Sequence, residues 1–131
     1  MKYLILIHLN ETEFAKMPKA DDSALNAAHL DLNEDLKKAG HFIVAEALEP
    51  ANTTKTVRVR QGKLSVVDGP FTEAKEMVAG FYFIEARDIE EATQIAARIP
   101  SAAIGTIEVR PARQLPVEGR ELRWGSDKPS F

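Results

Sequence analysis

Apolar positions along this chain follow two different periods, and the switches between them mark out its elements. Tyr3 to Leu9 (YLILIHL) is a near-continuous apolar run, the pattern of a strand buried on both faces. Pro18 and the Asp21-Asp22-Ser23 cluster signal a loop and a helix start. From Asp22 to Ala39 the apolar residues Leu25, Ala28, Leu32, Leu36 and Ala39 recur at helical spacing. Lys37 and Lys38 suit the last turn of that helix, and Gly40 suits its end. His41 to Leu48 (HFIVAEAL) reads as a second strand, closed by Pro50. The period is two from Lys55 to Arg60, with Thr56, Arg58 and Arg60 on one face and Val57 and Val59 on the other. Gln61-Gly62 then predicts a tight turn into Lys63 to Val67, which makes a hairpin. Val78 to Glu85 (VAGFYFIE) is a further apolar strand. Asp88 with Glu91 three residues on resembles a capping box, and Ala92, Ile95, Ala96 and Ile99 carry a helix to Pro100. Thr106 to Arg110 is a last strand before Pro111.

The predicted order is β-α-β, an inserted hairpin, then β-α-β. This is an α+β, ferredoxin-like plan with an antiparallel sheet and one extra hairpin. It places one domain at residues 1–111 and leaves 112–131 as a polar C-terminal arm or tail. Two helices cover only one face of such a sheet, yet the first strand and the strand after the hairpin are apolar on both faces. The expectation is a homodimer, packed sheet against sheet.

Composition narrows the functional classes. A net charge of −3 argues against a nucleic-acid partner, which favours a basic face. The chain has no cysteine, which excludes disulfides and thiolate zinc sites. The opening MKYLILIHLN is too short to span a membrane and lacks a signal-peptide pattern, so a cytoplasmic location is expected. His8, His29 and His41 show no metal-ligand spacing. Neither a phosphate-binding glycine loop nor a nucleophile elbow is present, and the expectation is chemistry without metal or cofactor.

Several residues stand out as site candidates. His29 lies on the inward stripe of the first helix, where an imidazole requires a polar partner, either as a structural bond or as a catalytic base. His8 shares a strand face with Leu4 and Leu6 and is a weaker candidate, since barrel-mouth packing is the better account of it. His41, directly after Gly40, suits a helix C-terminus. The segment Asp68-Gly69-Pro70-Phe71 forms a sharp turn between apolar runs. In it Phe71 folds back as a hydrophobic anchor, and the turn serves either as a rigid connection or as a mount holding the Asp68 carboxylate at a pocket rim. Glu73, Lys75 and Glu76 follow on a single helical turn, mainly as a solvated cluster, with Glu76 as a possible second acid. Arg58 and Arg60 share a strand face and suit either inter-strand ion pairs or the carboxylate of a ligand. Trp124 and Phe131 give the arm from Gly119 onward two aromatic anchors for a docking role.

DGPFTEAKEMVAGFYFIEA (68–86), the helix ending in ARIP (97–100) and GTIEVRP (105–111) resemble the DGPF, or YCII-related, proteins. The resemblance runs from Met1 to about Pro111. It implies the dimeric α+β barrel fold. Wider YCII-like proteins include a lyase that dechlorinates an aromatic ring, and a His–acid pair has been proposed as their active site. They carry a histidine at the place of His29. They also can place an acid near the end of the first strand, where this chain has Asn10 and Glu11 and no Asp. The leading expectation is a small organic ligand held between helix and sheet; as an enzyme, the chain would use His29 as general base, with Asp68 orienting it or supplying the acid. The substrate-binding set would be Arg58, Phe71 and Glu76. Some DGPF proteins are linked with alternative sigma factors, which keeps a non-catalytic ligand-binding or regulatory module open beside the enzyme.

Overall fold

The computed structural model describes residues 1–116, 118–119 and 123–124. Strand β1 spans Lys2–Leu9, helix α1 Glu11–Ala15, helix α2 Lys19–Lys38 and strand β2 Phe42–Ala47. The hairpin β3 (Lys55–Arg60) and β4 (Lys63–Asp68) follows, then β5 (Met77–Glu85), α3 (Ile89–Ala97) and β6 (Thr106–Pro111). Two short strands, β7 (Leu115–Pro116) and β8 (Arg123–Trp124), pair with each other in the C-terminal segment. Phe131, and the side chain of Trp124, lie outside the described residues.

The main sheet has the order β2-β5-β1-β6, and all its neighbours are antiparallel. This is the ferredoxin-like α+β arrangement. The strands bury alternate residues as the pleat requires. Tyr3, Ile5, Ile7 and Leu9 of β1 and Tyr82 and Ile84 of β5 point into the core, where they meet Leu32 and Leu36 of α2 and Ala92, Ile95 and Ala96 of α3. Leu4, Leu6 and His8 on β1, with Phe81 and Phe83 on β5, point to the opposite face, which no helix of the described residues covers. The double-sided apolar pattern of these strands thus resolves into a dry face and a half-buried open face.

Local chemistry accounts for the boundaries. The Asp88 carboxylate accepts from the Glu91 backbone N–H at 2.9 Å and caps α3. Glu91 reaches back one residue beyond a standard capping box, to the Arg87 N–H at 2.8 Å. Asn10 caps α1, a one-turn helix too short to show periodicity. Helix α2 starts earlier than the Asp21-Asp22-Ser23 cluster suggests, because Pro18 occupies its N-cap and the two aspartates sit in its first turn, favourable for the helix dipole. After α3 the chain makes a 3₁₀ turn, Pro100–Ala103, that buries Ser101. The hairpin turns at Gln61 and Gly62, both at positive φ. No helix of the described residues is long and apolar enough to cross a membrane.

Candidate functional site

The inward face of α2 presents His29 to β5 on one side and to the 3₁₀ turn on the other. Its Nδ1 lies 2.9 Å from the Tyr82 hydroxyl, and its Nε2 lies 2.8 Å from the Ser101 hydroxyl. A neutral imidazole has one bare nitrogen and one N–H. One hydroxyl therefore donates to the bare nitrogen, while the ring N–H donates to the other oxygen. The His29 and Tyr82 rings are also stacked, 6.1 Å between centroids and 28° between planes. Ser101 and Tyr82 are almost wholly buried, whereas His29 is half-buried.

Burial sets the protonation states. It lowers the His29 pKa from 6.5, because the charged ring would lose its hydration. The same cause pushes the Tyr82 phenol up to about 12. At neutral pH the unit is thus a neutral imidazole between two neutral hydroxyls. One helical turn beyond His29, the side-chain carbonyl of Asn33 is buried with no hydrogen-bond partner among the described residues. An unmet acceptor of this kind costs about 1–3 kcal/mol, so a donor brought to it is favoured.

Asp68 does not meet His29 within the chain. It ends β4 in the hairpin, exposed, and its carboxylate pairs with Lys55 across the ladder. Both nitrogens of His29 are taken by Tyr82 and Ser101, so none is left for an orienting carboxylate from Asp68. Gly69 takes φ 101°, a conformation open to glycine, and the turn is stitched by Gly69 N–H to Thr54 O at 2.7 Å and Thr56 Oγ1 to Gly69 O at 2.8 Å. Phe71 does not fold back as an anchor. It is 72% exposed, and the Arg58 guanidinium lies 4.8 Å from its ring centroid. This cation–π pair takes the place of the inter-strand ion pair expected of Arg58. The stretch holding Glu73, Lys75 and Glu76 is a set of bends rather than a helical turn, and Glu76 accepts from Thr106 Oγ1 at 2.6 Å.

His8 sits on the open face, as its spacing with Leu4 and Leu6 requires, and pairs with Glu108 of β6. Thr106 lies directly across the ladder from His8, so the His8–Glu108 and Thr106–Glu76 pairs are neighbours at one end of this face. His41 hydrogen-bonds through Nδ1 to the Glu85 carbonyl at 2.8 Å and ties β2 to the end of β5. Among the described residues no three His, Asp or Glu side chains gather as a metal ion requires.

Sequence reasoning missed Tyr82, Ser101 and Glu108. A signal for Tyr82 was present, since it shares the core-facing parity of Gly80 and Ile84 and is the one hydroxyl on that face of β5. Ser101, between a proline and two alanines, gives no such signal. Glu108 becomes informative only once β6 is placed beside β1.

The YCII-related domain family matches residues 1–116. An uncharacterized protein of Rhizobium meliloti (strain 1021) is 30% identical over 113 residues, covering 85% of this chain and 91% of that protein. The chain belongs to the YCII-related family.

Proposed function

We propose that the protein binds a small organic molecule beside α2 and uses His29 as the base of a cofactor-free proton transfer or elimination. The observation that carries this reading is the clamped, neutral His29. An imidazole whose pKa is lowered by burial is unprotonated at neutral pH, and its bare nitrogen can take a proton once the hydroxyl bonded to it yields or relays one. Two hydroxyls fix its ring, so the geometry needed for transfer is set before a substrate arrives. Tyr82 performs the orienting role that the sequence suggested for Asp68, and Ser101 holds the second nitrogen. A proton reaches the bare ring nitrogen either when the hydroxyl donating to it yields its place, or through that hydroxyl, which passes its own proton to the ring and takes up the substrate's. Asn33 supplies an acceptor for a ligand N–H or O–H one turn away. The apolar open face supports the further reading that the working unit is a homodimer joined through its sheets.

The test is hydrogen–deuterium exchange in D2O, followed by NMR, across a panel of small aromatic and enolisable carboxylic acids. The proposal expects at least one compound to exchange a carbon-bound proton with wild type and not with His29→Gln. A compound that stabilises the protein against heat without exchange or turnover would instead support the binding module. If no member of a broad panel exchanges or stabilises, the ligand site beside α2 is wrong.

A further inference from the structure

Among the described residues, the hairpin β3–β4 supplies no side chain to the core. Its register pairs Val57 with Val66 and Val59 with Leu64, which puts four aliphatic side chains on one face. They are 53–68% exposed. The hydrogen bonds, ion pair and ring contact of the hairpin run within it and to the adjoining Thr54 and Gly69–Phe71 segments. Strands of six residues reach about 20 Å. An uncovered apolar ribbon of that length is costly in water and is a template for association.

Charge gives the ribbon a direction. Residues 55–68 hold Lys55, Arg58, Arg60 and Lys63 against Asp68 alone, a net charge of +3. The whole chain is −3, so the rest of it carries −6. A second uncovered apolar surface among the described residues is the open sheet face, where Lys2 and Arg110, opposite Leu4, lie at one end and acids edge the rest. Glu108 lies across the ladder from Leu6, Glu46 lies across from Phe81, and Glu76 bonds Thr106 at the same end as His8. A stable interface uses about 20–30 residues a side. The core of the open face is Leu4, Leu6, Phe81 and Phe83 with their edging residues, which falls short of that number without a further contact.

We infer that the hairpin is an exchanged arm: in a two-fold dimer it lays its Val57–Val59–Leu64–Val66 face on the second copy, at the edge of that copy's open sheet face. One symmetric contact then covers both apolar surfaces of each chain and sets the basic arm against the acidic body. This rests on the sheet-to-sheet dimer reading and adds a second contact to it.

Sedimentation velocity on the full chain tests both and separates them. Wild type is expected to be a dimer at micromolar concentration. Val59→Glu/Leu64→Glu, on a hairpin with no residue in the core of the described residues, is expected to keep the native circular dichroism and to raise the dimer Kd by tenfold or more, as loss of anchoring contacts does. Val59→Thr/Leu64→Thr, which keeps strand propensity, is expected to weaken the dimer less but in the same direction. The absence of cysteine allows a direct check: Leu64→Cys combined with single cysteines at open-face positions should give an interchain disulfide on oxidation. A wild-type monomer overturns the dimer and the arm together. A wild-type dimer whose Kd is unchanged in both hairpin variants overturns the arm and leaves the sheet-face dimer standing.

Discussion

Replacing Tyr82 by Phe removes one oxygen from the centre of the proposed site and little else. The ring keeps its position in the core and its stack on His29. Apolar burial is therefore nearly unchanged, and the cost is the hydrogen bond. Tyr82 is only 3% exposed, so water does not readily replace the lost hydroxyl, and a ring nitrogen of His29 loses its partner. A partly buried group left without its partner costs about 1–3 kcal/mol. For a chain of this length each kcal/mol lowers Tm by about 4 °C, which predicts a drop of about 4–12 °C. Tyr3→Phe is the internal control. Tyr3 is as deeply buried, but its hydroxyl meets the Met1 sulfur at 3.7 Å, a weak acceptor, and its loss should cost under about 1 kcal/mol. Thermal melts and urea midpoints of the two variants, with Ser101→Ala added to Tyr82→Phe, complete a double-mutant cycle. If His29 is clamped between the two hydroxyls, the Tyr82 and Ser101 losses are not additive. Equal small losses at Tyr3 and Tyr82, or full additivity with Ser101→Ala, would refute the clamp.

Other predictions concern the frame and the charge state. A Cβ on Gly105 would fall well inside 3.0 Å of the His8 carbonyl, and β6 would have to move off β1, so Gly105→Ala should destabilise by about 1–3 kcal/mol or more in urea titration. Because the His29 pKa is lowered in the fold, the unfolded chain binds more protons as pH falls below 6.5, and the His29 contribution to stability is lost from there downward. The difference in urea midpoint between wild type and His29→Gln should accordingly be constant above pH 6.5 and change in favour of the variant below it. Asp68→Asn removes an exposed ion pair with Lys55, and calorimetry should find Tm nearly unchanged.

The sheet and the two long helices were legible in the sequence because each is written in local periodicity. The alternation of β3 and the stripe from Leu25 to Leu36 need no knowledge of the rest of the chain. The elements that were missed are short: one-turn helices, and the two-residue strands β7 and β8. Neither α1 nor the 3₁₀ turn at Pro100–Ala103 has room for a period. His29 was legible because an imidazole on an apolar stripe requires a partner. Its partners were not, since Tyr82 lies 53 residues away and Ser101 lies 72 residues away, and only the packing of α2 on β5 brings them together. Asp68 drew attention through the specific turn around it, yet that turn is accounted for by the Lys55 pair, the Gly69 conformation and the Thr54 and Thr56 bonds. Phe71 shows the same limit. An aromatic after Gly-Pro reads as an anchor, but Phe71 stays exposed and meets the Arg58 guanidinium instead of the core.

The most direct test of the central claim is an NMR pH titration of His29, with assignment by His29→Gln, repeated in Tyr82→Phe and in Asp68→Asn. A neutral, hydroxyl-clamped base predicts a midpoint below 6.5 that shifts in Tyr82→Phe and is unmoved in Asp68→Asn. A midpoint at or above 6.5, or one that falls on changing Asp68 and ignores Tyr82, would contradict it and return the histidine to a carboxylate partner.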